Sequence, residues 1–190
     1  MLDNEVDVTN PWRGPFGVGG AVAVILVVST LITEIVNAAT SIGYLSGVDV
    51  VEYLSALASQ IGIGIVRDIL FGVGIVLTLR FFASIPIQAG AVHAGWRHLV
   101  SRILLAAGGG GATVFVGFVV AVVIAAFGPG QYPFGYDFQP TFDGYSIGNG
   151  ILSALVTGLL AFVSGVPVVG LVLLWLRLFG RDAGSAERRA

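Results

Sequence analysis

The sequence predicts an all-α, polytopic integral membrane protein in which four transmembrane helices form a bundle. Three observations support this fold class. Hydrophobic residues make up 56% of the 190 residues and charged residues only 11%, which is too little polar surface to cover a soluble core. Four apolar runs, at about 17–39, 61–82, 103–127 and 151–179, are each long enough to cross a hydrocarbon layer of about 30 Å. If the four runs cross the membrane in alternating directions, eight of the nine arginines lie on the same side of the membrane.

The arginines predict how the chain is threaded, because Lys and Arg accumulate in the short cytoplasmic segments beside membrane spans. One precedes the first run, three lie from the end of the second run to the start of the third, and four lie from the end of the fourth run onward: Arg13; Arg80, Arg97, Arg102; Arg177, Arg181, Arg188, Arg189. We therefore expect both termini to be cytoplasmic (N-in, C-in), in the cell (plasma) membrane. The single transmembrane domain then covers 1–190, with polar cytoplasmic tails at 1–14 and 181–190.

Two alternatives concern the first two runs. A cleavage-like Val36-Asn37-Ala38 lies at the end of the first run. The segment before the run is acidic, however, and the run exceeds the about 7 to 15 residues of a secretory signal, so we expect a retained anchor. A five-span arrangement would break the second run at Arg67-Asp68. That break leaves only two residues for the turn and moves the basic C-terminal tail outside, which disfavours it.

Ionisable residues at one predicted depth are the sharpest chemical feature of the spans. Counted along the helices from the inner boundary, Glu34 lies about 25 Å and Arg67 about 20 Å into the membrane. An unpaired charge at mid-membrane costs about 3 kcal/mol, and pairing of Arg67 with Glu34 or with Asp68 would recover much of it. The sequence therefore predicts an intramembrane polar cluster of Glu34, Asn37, Arg67 and Asp68.

Three interpretations of this cluster stay open. In the functional one, Glu34 is the titrating group of a proton- or ion-coupled site and Arg67 sets its proton affinity. In the first structural one, a charge pair fixes the register of two helices. In the second, Arg67 and Asp68 sit near the outer headgroups because the span is shifted.

Short amphipathic helices are predicted at both membrane surfaces. On the outer side, Asp49 is a suitable N-cap, and apolar residues at helical spacing lead from it into the second span. On the inner side, an apolar stripe over 92–103 faces a polar one, and Trp96 suits the headgroup zone. The inner His93 and His98 would lie about 140° apart on a helix, so the sequence predicts no metal site there.

The third and fourth runs carry small residues on one face. The third has a stripe that allows close backbone approach, which predicts a central helix: Ala106, Gly110, Thr113, Gly117, Ala121, Ala125. The fourth has a similar face: Ser153, Thr157, Ala161, Ser164. Pro167 follows that face. It indicates either an ordinary proline bend in a tightly packed helix or a hinge beside a widened cavity.

The outer loop over 128–150 has aromatic residues at every second position of its central stretch: Tyr132, Phe134, Tyr136, Phe138. Three prolines and six glycines in the loop disfavour a helix, so we expect an irregular, partly extended cap. The aromatic side chains either anchor this cap at the outer interface or form a contact surface for a partner, a lipid or a sugar.

Several functional classes are disfavoured by what the sequence lacks. The absence of cysteine removes disulfides, thiolate metal sites and cysteine nucleophiles, and no other catalytic constellation or cofactor motif is present. A net charge of -2 with arginines at the membrane margins argues against nucleic-acid binding. The absence of lysine, together with abundant Gly, Ala and Val, is typical of GC-rich prokaryotes, including haloarchaea.

We therefore expect a non-enzymatic membrane protein without a cofactor, working as a structural, accessory or regulatory subunit through helix–helix contacts. Its expected partners are the lipid bilayer and either further copies of itself or other membrane-protein subunits. The alternative is a small oligomeric transporter or channel-like protein that uses Glu34, Arg67 and Asp68.

The predicted threading can be tested with single cysteines, since the chain contains no native thiol. We expect a membrane-impermeant thiol reagent on intact cells to label Gly144→Cys and to leave Ser101→Cys unlabelled until the cells are opened. The reverse labelling pattern would contradict the cytoplasmic location of the termini.

Overall fold

The computed structural model describes residues 15–41, 49–82, 96–127 and 144–186, and all of them except Asp49 are α-helical. Helix α1 is Pro15–Ser41, α2 is Val50–Phe82, α3 is Trp96–Phe127 and α4 is Gly144–Ala186. The helices pack as a bundle, and each contains a stretch long and apolar enough to cross a membrane. The predicted all-α class with four transmembrane-length helices is confirmed.

The helices extend beyond the apolar runs. Helix α2 starts eleven residues before its run, where Asp49 caps it: the Val51 N–H donates to Asp49 Oδ1 at 2.8 Å and the Tyr53 N–H donates to the Asp49 carbonyl oxygen at 3.0 Å. The predicted N-cap is confirmed. Helix α3 starts at Trp96, so the end of the predicted inner amphipathic segment is continuous with the third span.

One prediction about the outer loop was wrong. The irregular segment was expected to reach residue 150, but α4 already begins at Gly144. Packing explains the difference, because a Cβ at Gly150 would lie 2.8 Å from Val122 Cγ1 of α3, so Gly150 lets the first turns of α4 lie close against α3. That contact outweighs the low helix propensity of glycine. The predicted contact surface Tyr132, Phe134, Tyr136 and Phe138 lies outside the described residues, as do 1–14, 83–95 and 187–190.

Glycines set the distances between neighbouring helices, which run antiparallel. A Cβ added at Gly72 of α2 would lie 2.8 Å from the carbonyl oxygen of Gly19 on α1. A Cβ added at Gly74 would lie 2.5 Å from the carbonyl oxygen of Gly109 on α3. Lipid provides no hydrophobic reason for helices to associate, so close backbone packing of this kind must stabilise the bundle.

A second glycine face joins α3 to α4. A Cβ at Gly111 would lie 2.8 Å from the carbonyl oxygen of Gly158, and one at Gly158 would lie 2.9 Å from that of Gly111. The sequence predicted only the α3 stripe through Gly110 and Gly117, which packs against Phe71 and Leu70 of α2. Helix α3 therefore contacts α2 and α4, while α2 contacts α1 and α3, so the two middle helices share the central position.

Phe71 fills the centre of the bundle. Its side chain is buried, and its ring lies against Gly110 of α3 and Gly165 of α4, where any Cβ would overlap it. A large aromatic side chain from α2 thus occupies the space left by two missing side chains. This contact joins α2 and α4, which lie diagonally across the bundle.

The buried residues divide the bundle into two halves. The core half consists of 15–28, 68–82, 96–114 and 161–186, and it contains the whole cluster of buried apolar side chains: Val18, Val22, Phe71, Ile75, Ala106, Ala107, Val114, Ala161, Val169, Val172. The polar half consists of 29–41, 49–67, 115–127 and 144–160, where Ala154 is the buried apolar side chain among the described residues. The cluster of buried apolar side chains is therefore confined to one end of the bundle.

Gly74→Ala tests the glycine contacts. We expect it to destabilise the bundle by about 1 to 3 kcal/mol, because the new methyl group meets backbone atoms of Gly109 and Gly110 that cannot rotate away. The measurement is the midpoint of unfolding in SDS from mild detergent micelles.

The matched control is Gly62→Ala on the same helix, where a Cβ meets nothing within 4 Å. We expect this variant to be neutral or slightly more stable, since alanine favours a helix over glycine. Equal loss of stability in both variants would show that helix propensity rather than close packing is responsible.

Candidate functional site

Three polar side chains from α1 and α2 form one hydrogen-bonded cluster. Thr30 Oγ1 donates to Asp68 Oδ2 at 2.6 Å. Arg67 Nε donates to Asp68 Oδ1 at 2.9 Å, and Arg67 Nη2 lies 2.9 Å from the same oxygen. Arg67 Nη2 also donates to Thr30 Oγ1 at 3.1 Å. The carboxylate therefore has a partner on each oxygen, and the Thr30 hydroxyl links the two helices. We call these three residues the Thr30 cluster.

The cluster lies deep along both helices. Asp68 is about 27 Å from the start of α2 and about 21 Å from its end. The Asp68 residue is 2% exposed, so its carboxylate is buried between helices, whereas the Arg67 side chain is 38% exposed. A charge at this depth is stable only when it is paired or reaches water.

Gly64 makes room for the cluster on α2. It lies one turn before Asp68 on the face that meets α1, and a Cβ there would lie 2.7 Å from Thr30 Cγ2. The missing side chain allows Thr30 to approach α2 closely enough for its hydroxyl to reach both charged groups. Glycine, threonine and aspartate thus act together at this helix crossing.

The geometry favours a satisfied, stable ion pair. In the described part of the chain, no buried side-chain nitrogen or oxygen lacks a hydrogen-bond partner. A buried charge pair repays its desolvation only when its remaining hydrogen-bonding capacity is also used, and the hydroxyl of Thr30 supplies that for Asp68 Oδ2. Removing either charge alone would leave the other uncompensated.

The predicted polar cluster is only partly brought together. Arg67 and Asp68 are paired, whereas the side chains of Glu34 and Asn37 make no hydrogen bond or ion pair with any residue that the structure describes. Glu34 lies one turn beyond Thr30 on α1, half-buried, and Asn37 is exposed. The partner that Arg67 takes is its chain neighbour Asp68 rather than Glu34.

Thr30 is the residue that the sequence interpretation left out of the cluster. A signal for it was present, because Thr30 lies four residues before Glu34 on the polar face of α1. Its depth matches that of Asp68 when the two helices are aligned as an antiparallel pair. Threonine is common in membrane spans, however, so this spacing did not suffice to include it in the predicted cluster.

The cluster offers limited chemistry. Its contacts use Nε and Nη2 of Arg67, so Nη1 donates to no other described residue and keeps its hydrogen-bonding capacity. No group of three His, Cys, Asp or Glu side chains in the described segments could hold a metal ion. The arrangement suits holding a charge pair, or exchanging a proton or hydrogen bond with a small ligand, better than a covalent reaction.

Fold and site together define a class: an all-α membrane protein whose four-helix bundle carries a hydrogen-bonded ion pair within its spans. Comparison with known proteins finds no match, whether to a family, to a curated protein or to a solved structure. The functional argument therefore depends on the residues of this chain.

Asp68→Asn tests the energetic role of the cluster. We expect a loss of about 3 kcal/mol in unfolding free energy, because the amide cannot neutralise Arg67 and the guanidinium stays unpaired inside the span. The double variant Arg67→Gln/Asp68→Asn should recover at least half of that loss, since it carries no unpaired charge. SDS titration of all three proteins gives the comparison.

Glu34→Gln is the matched control, one helical turn away on α1. It removes a charge that no described residue contacts, so we expect a change within about 0.5 kcal/mol. A loss as large as that of Asp68→Asn would mean that Glu34, rather than Asp68, pairs with Arg67 in the membrane.

Proposed function

We propose that this protein is a non-enzymatic subunit of a membrane assembly and acts through helix–helix contacts with other membrane-embedded chains. The observation that carries the proposal is a set of unfilled small-residue notches on the outside of the bundle. At Gly20 of α1, Gly62 of α2 and Gly108 of α3, which lie within the apolar runs, an added Cβ would meet no atom within 4 Å. The same holds for Gly148 of α4, which lies before the fourth run.

These notches differ from the glycines inside the bundle, which all meet a neighbouring helix. Gly108 is followed one turn later by the exposed Ala112, and Gly62 is preceded one turn earlier by the exposed Ala58. Small residues one turn apart let another helix approach closely in lipid, where such contact is a main source of association energy. Helices α2 and α3 thus each carry a surface suited to a further helix, and Gly20 adds a single notch on α1.

The Thr30 cluster supports this role as a structural element. It joins α1 to α2 by two side-chain hydrogen bonds and so fixes their relative height. Fixed height matters for an assembly subunit, because notches on different helices must keep their relative positions to meet a partner. In this proposal the ion pair stabilises the arrangement of helices that carries the notches, and it does not itself react.

The proposal includes the orientation of the chain. We place both termini and the segment between α2 and α3 in the cytoplasm, and the protein in the cell membrane. The distribution of arginines supports this threading. The aromatic stretch from Tyr132 to Phe138 then lies at the outer surface, as an interfacial anchor or contact surface. The partners are other membrane subunits or further copies of this chain.

A small oligomeric transporter or channel-like protein is the second candidate. The specific observation in its favour is that the Arg67 side chain is 38% exposed at mid-span and keeps Nη1 free of described partners. A half-exposed guanidinium at this depth is expensive unless it meets water, a ligand or another subunit. Reconstituted vesicles with Glu34→Gln and Asp68→Asn variants would detect a flux that depends on these carboxylates.

The assembly proposal is tested by filling the notches. We expect Gly20→Leu, Gly62→Leu and Gly108→Leu to leave the stability of the single chain within about 0.5 kcal/mol, because space is available. At least one of them should abolish the complex that the unmodified protein forms when it is extracted from its native membrane in polymer nanodiscs. Native mass spectrometry gives the composition and mass of that complex.

The control is Ile32→Leu, a volume-conserving change at an exposed apolar position. We expect it to retain the complex. A lone 19.6 kDa chain in nanodiscs from the native membrane, unchanged by all three notch variants, would contradict the assembly role.

A further inference from the structure

The face of α1 that builds the core becomes polar and exposed farther along the helix. Val18 and Val22 are buried in the core half. Ser29 lies eleven residues after Val18, and Thr33 lies eleven residues after Val22. On an α-helix, two residues eleven apart point in directions that differ by only about 20°. Both are exposed, and neither side chain has a hydrogen-bond partner among the described residues. The same face is therefore uncovered in the polar half.

Helices α2 and α3 show the same change. Gln60 precedes the buried Phe71 by eleven residues and is exposed, and Ala121 follows the buried Val114 by seven residues and is also exposed. Core-facing positions of three helices are thus uncovered at one end of the bundle. The outward-facing positions next to Ser29 and Thr33 are apolar, namely Val28 and Ile32.

The helix pairs themselves remain packed in the polar half. Thr30 of α1 stays against Gly64 of α2, and Val122 of α3 stays against Gly150 of α4. The uncovered faces therefore result from separation of the α1–α2 pair from the α3–α4 pair. We call the uncovered axis-facing positions of α1, α2 and α3 the cleft; its α1 and α2 walls carry the polar side chains of Ser29, Thr33 and Gln60.

The cleft ends at the Thr30 cluster. Arg67 is the last exposed polar side chain on its α2 wall, and the next core-facing residue of α2 is the buried Phe71, whose ring fills the notches of Gly110 and Gly165. The core half beyond Phe71 is closed by buried valine and isoleucine side chains. Polar groups inside a membrane domain are stable when they line a water-filled cavity.

Charge selects what enters this cleft. The described acidic and basic side chains of the polar half, tyrosine aside, are Glu34, Asp49, Glu52 and Arg67. Asp68 neutralises Arg67, so the uncompensated charges are all negative. Among the arginines beyond the cluster, those whose side chains the structure describes, Arg80 and Arg102, lie at the opposite end of the bundle. A net negative charge at this end of the bundle concentrates cations there and repels anions.

We infer that the polar half encloses a water-filled vestibule that admits small cations from one end of the bundle and ends at the Thr30–Arg67–Asp68 cluster, above an apolar seal. This inference is independent of the assembly proposal, because the vestibule lies on the bundle axis and the notches lie on the outside.

Paired cysteines test the water-filled part. Thr33→Cys and Ser29→Cys lie on the vestibule wall, while Ile32→Cys and Val28→Cys lie at the same depths on the lipid face of α1. Methanethiosulfonates react with the thiolate, which forms in water and not in hydrocarbon. With the full chain in lipid vesicles, we expect a charged methanethiosulfonate to modify each vestibule cysteine at least tenfold faster than its lipid-facing neighbour.

Val114→Cys marks the sealed side, because Val114 is buried in the core half, and we expect it to stay unmodified. Equal rates at positions 32 and 33 and at positions 28 and 29 would overturn the vestibule. So would efficient disulfide formation between copies at Thr33→Cys, since it would make this face a contact between chains.

The cation preference has its own measurement. At Thr33→Cys, the rate ratio of a cationic to an anionic methanethiosulfonate, each rate divided by that of a free thiol, should exceed about 3. Adding Glu34→Gln should lower the ratio at least twofold, and adding Gln60→Asn, which leaves the charge unchanged, should not. A ratio of one that Glu34→Gln does not change would overturn the cation preference.

Discussion

Asp68 is buried between two helices, where Arg67 and Thr30 donate hydrogen bonds to its two carboxylate oxygens, and the arrangement of the bundle follows from that requirement. The carboxylate can use its chain neighbour only if the guanidinium folds back along α2, and it can use Thr30 only if α1 crosses α2 at Gly64. The register of α1 against α2 is thereby fixed. A shift of one turn would leave a charge or a hydroxyl without its partner, which is expensive in lipid.

The other close contacts between helices form at glycines, where no side chain keeps the two backbones apart. Gly19 and Gly72 join α1 to α2, and Gly111 and Gly158 join α3 to α4 through backbone atoms in contact. Dispersion between closely packed backbones is effective in a membrane, where apolar side chains gain nothing by leaving lipid for protein. Such contacts act only over short distances, so each helix crossing has one preferred geometry.

The sequence predicted the four helices because a run of about twenty apolar residues has few alternatives in a bilayer. It also predicted the Asp49 cap, since a cap depends on neighbouring residues alone. It could not select the partner of Arg67, because Glu34 and Asp68 fit the depth equally well and the choice depends on side-chain path. Nor could it identify the site into which the Phe71 ring packs. That site is formed by Gly110 and Gly165, which belong to two different helices and come together only when the bundle forms.

The two halves of the bundle differ because their core-facing residues differ, although the helices are continuous through both. Where those positions hold valine, phenylalanine and isoleucine, four helices converge and exclude water. Where they hold serine, threonine and glutamine, convergence would bury polar groups, among them the amide of Gln60, which has no hydrogen-bond partner among the described residues, so separation with hydration is favoured. The Thr30 cluster lies at this transition, where one side of an ion pair is buried in protein and the other is half-exposed. A boundary of this kind lets one charge pair both stabilise a helix crossing and remain within reach of water.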